Sequence, residues 1–125
     1  MGIHRQRSER GAAAVEFALV MPILFLLVFG IIEFGFIFNK MLSVTHSARE
    51  GVRTYALTGS PTPAQSFAQA ASGLNPAPTC LASPSSGVPT PGAEVAMTCT
   101  TTYQLHLYII HNNLTLSSTA KARKE

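Results

Sequence analysis

The 125 residues carry nine Lys or Arg against six Glu and no Asp, a formal charge of +3, and 46% of them are apolar. A nucleic-acid-binding chain of this size needs a broad basic face with interleaved aromatics, and six of the nine cations here sit instead in two small groups, Arg5, Arg7 and Arg10 near the start and Lys121, Arg123 and Lys124 near the end. The absence of Asp removes many catalytic constellations, and the four histidines have no metal-ligand spacing, so the sequence gives no catalytic site, no metal site and no cofactor.

The apolar residues are concentrated. Residues 17–32 read FALVMPILFLLVFGII, followed by Glu33 and FGFIF, and twelve of those sixteen are Leu, Ile, Val or Phe. At the usual insertion free energies they contribute roughly −5 kcal/mol, partly offset by Pro22 and Glu33. As a helix, residues 17–38 span about 33 Å, enough for the hydrocarbon core of a bilayer. A cleaved secretory signal needs a small-residue site after its apolar stretch, whereas the small residues Ala12 to Ala14 precede it. A myristoylation signal fails because Gln6 stands where Ser or Thr is required. The segment therefore reads as a retained anchor. Three arginines before it and only Lys40 just after it place the N-terminus in the cytoplasm and the C-terminal part outside.

Beyond the anchor, Met41, Val44, Thr45, Ala48, Val52, Tyr55 and Ala56 share one arc of a helical wheel, which predicts that the helix continues to Gly59-Ser60-Pro61. His46, Arg49, Glu50 and Arg53 fall elsewhere on the wheel and read as a solvated face. Thr62-Pro63-Ala64-Gln65 has the form of a capping box and predicts a short helix to about Gly73, followed by a Pro-rich linker over residues 75–79. From Val95 the odd positions run Val95, Met97, Cys99, Thr101, Tyr103, Leu105, Leu107, Ile109 against mostly small or polar even ones, until Tyr108 and Ile110. That is the alternation of a half-buried strand. His111-Asn112-Asn113 reads as a turn, with a returning strand from Leu114 to Ala120.

Cys80 and Cys99 both follow the anchor, and an even count on the exported side predicts a disulfide. A short strand near Cys80 would pair with Cys99 across the polar loop of residues 83–92. The architecture expected is α+β: a long N-terminal transmembrane helix extending into a small exported head with a short helix and a two- to three-stranded antiparallel sheet, shaped like a lollipop. The divisions are a basic leader over 1–11, the transmembrane helix over 12–38, an amphipathic extension over 39–58 and the head over 59–125.

Glu16 is the anomalous residue. A carboxylate at the edge of an apolar span costs up to about 3 kcal/mol, and no Lys or Arg lies in the following helical turns to pair with it. Its surroundings, Arg10-Gly11-Ala12-Ala13-Ala14-Val15-Glu16-Phe17, form a basic leader, a Gly, four small or apolar residues, then Glu and an aromatic at the start of the membrane helix. This resembles type IV prepilins. Ile32-Glu33-Phe34-Gly35, Ala48-Arg49-Glu50-Gly51-Val52-Arg53 and the ending Leu116-Ser117-Ser118-Thr119-Ala120 with its basic tail narrow the resemblance to the TadE-like minor pseudopilins of the tight-adherence (Flp, type IV) pilus system. It is strong over residues 10–57.

The resemblance implies a role and a partner set. A prepilin peptidase would cut between Gly11 and Ala12, Ala12 would carry the new amine, and Glu16 with Phe17 would serve assembly, the carboxylate meeting an amine of a neighbouring subunit or the assembly machinery. Partners would be that peptidase, other pilin or pseudopilin subunits, the inner-membrane assembly platform and membrane lipid, with no nucleic acid and no small-molecule substrate. The location implied is the cytoplasmic membrane, single-pass, with possible entry into the pilus. TadE, TadF and TadG roles are not separated by these motifs. The alternative is an uncleaved single-span anchor with an extracytoplasmic binding head in an envelope or secretion complex.

Overall fold

The computed structural model describes residues 3–107 and 110–125, and the side chains of residues 11–105 and 111–125. Helix α1 spans Ile3–Thr58, helix α2 Pro61–Ala71, and strands β1 Thr79–Ser83, β2 Glu94–Leu107 and β3 Ile110–Arg123 form an antiparallel sheet in the order β1-β2-β3. The chain divides into two compact units, residues 1–34 and 35–125. The fold is α+β with one helix long and apolar enough to cross a membrane.

The first unit is α1 alone. From Val15 to Phe34 its large side chains lie open on every side, Leu19 at 71% and Ile23 at 68% exposure, as a helix apolar all round must be when no protein covers it. Pro22 sits inside the helix and cannot donate to the Ala18 carbonyl one turn back. In lipid that group has to be satisfied by a neighbouring helix, water or a local adjustment.

The second unit has a core built from three layers' worth of small contacts. Val44, Ala48, Val52, Tyr55 and Ala56 come from α1, Ala64 and Ala68 from α2, and Cys80, Ala82, Val95, Met97 and Cys99 from the sheet. Met41 and Thr45, on the same predicted arc, are only half-buried, and Ser47 and Gly51 are buried in addition. Ser47 tolerates complete burial because its hydroxyl donates to the Ser43 carbonyl at 2.9 Å. α1 ends at Gly59, whose φ of +69° is the left-handed conformation that lets its N–H donate to the Tyr55 carbonyl at 2.8 Å. The Glu125 N–H and the Lys124 ammonium donate to the Ala56 and Leu57 carbonyls, capping the same helix end with the other end of the sheet.

Two local expectations are corrected. The helix after Pro61 starts with Ser60 as its N-cap and Pro61 at its first position, with no side-chain cap, so Thr62 and Gln65 do not form a capping box. Pro61 fixes a helical φ at a position whose N–H needs no partner, and the helix begins there. The turn expected at His111-Asn112-Asn113 is ladder instead: His111 faces His106, Asn112 faces Leu105 and Asn113 faces Gln104. The register is set further down, where Met97 opposes Ala120 and Cys99 opposes Ser118 with the apolar members of the alternation turned inward. A slip of one residue would turn that whole set outward, so the core and not the turn-forming character of Asn decides where the hairpin reverses. Tyr108 and Ile109, read from the sequence as part of β2, lie outside the described residues.

Candidate functional site: the processing and assembly segment

Gly11, Ala12, Glu16 and Phe17 all lie on α1 and all are exposed. Ala12 and Glu16 stand four residues apart, one turn, so they share a helix face. Both are exposed, open to a second helix. Phe17 is 63% exposed beside them. A methyl group added at Gly11 would meet nothing within 4 Å, and the same holds for Gly30 and Gly35. Small residues from Gly11 to Ala14 leave the backbone itself accessible to a helix that packs closely against it.

Cys80 and Cys99 are brought together by another part of the fold. They oppose each other across β1 and β2 and are bonded, S–S 2.03 Å with Cα atoms 4.0 Å apart. Both are buried against Met97 and Ala82 in the core cluster. The bond fastens the short strand β1 to the sheet and leaves no free cysteine among the described residues.

The polar residues of the α1 extension do not converge. His46, Arg49 and Arg53 are exposed, with Glu50 half-buried between them, and an open groove beside them is lined by Ser43, His46, Arg49 and Ser72. No group of three or more metal-ligating side chains occurs among the described residues.

Gly51 is the residue whose role the sequence motifs left unassigned. A Cβ built there would stand 2.6 Å from the Ala68 Cβ and 2.9 Å from the Met97 Cγ, so α1 comes close to both α2 and the sheet here. A glycine inside a helix costs about 1 kcal/mol relative to alanine, and that cost was the available signal of a packing requirement.

Comparison with known protein families matches residues 11–53 to the family model described as TadE-like protein. Residues 11–53 are similar to TadE-like proteins. The match begins at Gly11, covers the whole apolar run, and ends just past Gly51, about a third of the chain in all. The matched stretch falls entirely on α1. No curated protein matches the chain, and no solved structure does.

Proposed function

We propose that this chain is a minor pilin-like subunit of a tight-adherence pilus or a related secretion machine, matured by a prepilin peptidase and assembled through packing of α1. The observation that carries the proposal is the TadE-like match over residues 11–53, which lies on one helix bearing Glu16 one turn after Ala12. Cutting between Gly11 and Ala12 removes the arginine-bearing leader and creates an amine on the same helix face as Glu16. A carboxylate at the edge of lipid is costly when isolated and much less so when paired, so the mature amine of a neighbouring subunit supplies the missing counter-charge. The role is structural, with no catalytic step.

In this reading α1 crosses the cytoplasmic membrane with the arginines inside, and the unit of residues 35–125 lies outside, where a disulfide persists. The partners are the peptidase, other pilin or pseudopilin subunits and the inner-membrane platform. The deciding experiment is N-terminal sequencing and intact-mass measurement of the chain extracted from membranes that contain an active prepilin peptidase. A mature chain starting at Ala12 supports the proposal; a chain still starting at Met1 returns the reading to an uncleaved single-span anchor.

A further inference from the structure

The two edges of the sheet are unlike. β1 is five residues long and runs straight into Pro84, two features that keep an edge from pairing further. β3 has neither protection. It contains no Pro, and from Arg123 opposite Glu94 to Thr115 opposite Thr102 it pairs with β2 without a bulge. Between Leu114 and Arg123 its only charged residues, Lys121 and Arg123, stand together at one end.

The direction of each backbone group along β3 follows from the pairing. Cys80 and Cys99 oppose each other with Cα atoms 4.0 Å apart, the close spacing of a non-hydrogen-bonded pair. The N–H and C=O of Cys99 therefore point away from β1 and into its pair with Ser118. The pattern alternates, so Ser118, Ala120 and Ala122 bond β2, whereas Thr115, Ser117, Thr119 and Lys121 turn their N–H and C=O outward. Two observations agree. The Thr98 and Thr119 hydroxyls meet at 2.8 Å, as side chains do across a close pair, and the Glu125 N–H, at a later odd position, leaves the sheet for the Ala56 carbonyl. Among the described residues nothing bonds the outward N–H and C=O groups of Thr115, Ser117, Thr119 and Lys121, a row about 20 Å long.

The core layer is also unfinished at this edge. Val95, Met97 and Cys99 on β2 are completely buried, while their partners Ala122, Ala120 and Ser118 on β3 are only half-buried. Ala120 and Ala122 pack at the border of the core cluster. Apolar side chains from one more strand would lie beside them on the same face and complete their burial.

From this we infer that the outer edge of β3 is a strand-addition site for an extended segment of another protein. The backbone fixes the class of occupant, because a row of free N–H and C=O groups is satisfied by a strand and not by a helix, whose own groups are already paired. Alternation fixes the pattern, with apolar residues beside Ser118 and Ala120 and polar ones beside Ser117 and Thr119. Charge fixes one end. Lys121 bonds Glu94 at 2.9 Å and Arg123 stands opposite the same residue, so two cations meet one acid. A carboxylate on the added strand level with Lys121 supplies the second, selecting the partner more than tightening it. The edge strands of a second copy are β1 and β3, and neither carries an acidic residue.

The probe is a fluorophore-labelled synthetic peptide, Glu-Val-Thr-Val-Thr-Val-Thr with blocked ends, whose Glu meets Lys121 in antiparallel pairing. It is titrated into the full chain in detergent micelles and followed by anisotropy and by amide hydrogen exchange. Expected are saturable binding and new protection of the Ser117 and Thr119 amides. Thr119→Pro and, separately, Ser117→Pro should each weaken binding about tenfold, since each removes an outward N–H and leaves the ladder to β2 intact. Two variants, with circular dichroism and the retained disulfide as checks of folding, keep the test intact if one perturbs the strand. Lys in place of the peptide's Glu should weaken binding several-fold. No saturable binding, or binding unchanged in both Pro variants, overturns the inference. Protection of the same amides that grows with chain concentration without peptide assigns the edge to a second copy and also overturns it. Equal binding of the Glu and Lys peptides overturns the acidic character of the partner.

Discussion

Gly51 lies against Ala68 with no room for a methyl group between them: a Cβ on Gly51 would stand 2.6 Å from the Ala68 Cβ. Neither partner is the end of a flexible side chain, so a larger residue at position 51 has to push α1 and α2 apart. Met97, whose Cγ would be 2.9 Å away, has more freedom to turn aside. Gly51→Ala gains about 1 kcal/mol of helix propensity and meets an overpacking cost of about 1–3 kcal/mol, so a net loss is expected. Gly51→Leu is expected to lose several-fold more. Gly30→Ala, where nothing lies within 4 Å, gives the propensity gain without the clash. Thermal unfolding of the detergent-solubilised chain, read by circular dichroism above the helix baseline, ranks the three variants. A Gly51→Ala chain as stable as Gly30→Ala would contradict the close approach.

The Cys80–Cys99 bond closes a loop of sequence separation 19. Constraining a loop of that size stabilises the folded state by about 3 kcal/mol. Cys80→Ser with Cys99→Ser is expected to lower stability by that order, chiefly by freeing β1 from the sheet. The bond itself is checked by alkylating protein recovered from the envelope with and without reductant and weighing the product. Full labelling without reductant contradicts it.

Tyr55 is completely buried and donates its hydroxyl to the Pro84 carbonyl at 2.7 Å, joining the α1 extension to the loop after β1. Tyr55→Phe is expected to cost about 1 kcal/mol, the net worth of a buried hydrogen bond. Burial pushes the phenol above its usual value of 10.0. A raised pKa means that the folded state holds the proton more tightly than the unfolded one. The contribution is therefore whole below about pH 10 and is lost as pH rises through the folded value. Stability of wild type should fall more steeply than that of Tyr55→Phe over this alkaline range. Parallel curves would place the phenol in water.

Glu16→Ala separates anchoring from assembly. Removing the carboxylate relieves up to about 3 kcal/mol of insertion cost, so membrane levels should hold or rise. Cleavage after Gly11 should continue, because the residues flanking the cut are unchanged, and a bulky or charged residue in place of Gly11 should block it. Pilus formation, or co-purification with pilus-assembly proteins, should be lost in Glu16→Ala. Unchanged assembly would mean that the carboxylate is no assembly contact and would favour the static anchor.

The sequence by itself determined the features that depend on one-dimensional pattern. Sixteen successive residues with twelve large apolar ones make a helix apolar on every side, so the candidate membrane span was legible from residues 17–32 alone. The helical arc from Val44 to Ala56 and the alternation from Val95 to Leu105 likewise state which faces turn inward, because the periods of helix and strand are local properties. The roles of Gly11, Ala12, Glu16 and Phe17 came instead from a resemblance to type IV prepilins, and the family match spans residues 11–53.

Only the tertiary structure decided the relations between segments. The pairing of His111, Asn112 and Asn113 with β2 was set by the register of the sheet, which outweighed the turn tendency of Asn112-Asn113. The need for Gly at position 51 exists only because Ala68 and Met97 arrive there from parts of the chain distant in sequence. The antiparallel course of β2 along the α1 extension follows from two contacts, Gly51 with Met97 and Lys40 with Tyr103. Local periodicity fixes which face of an element is apolar, but which partner covers that face is a property of the folded chain.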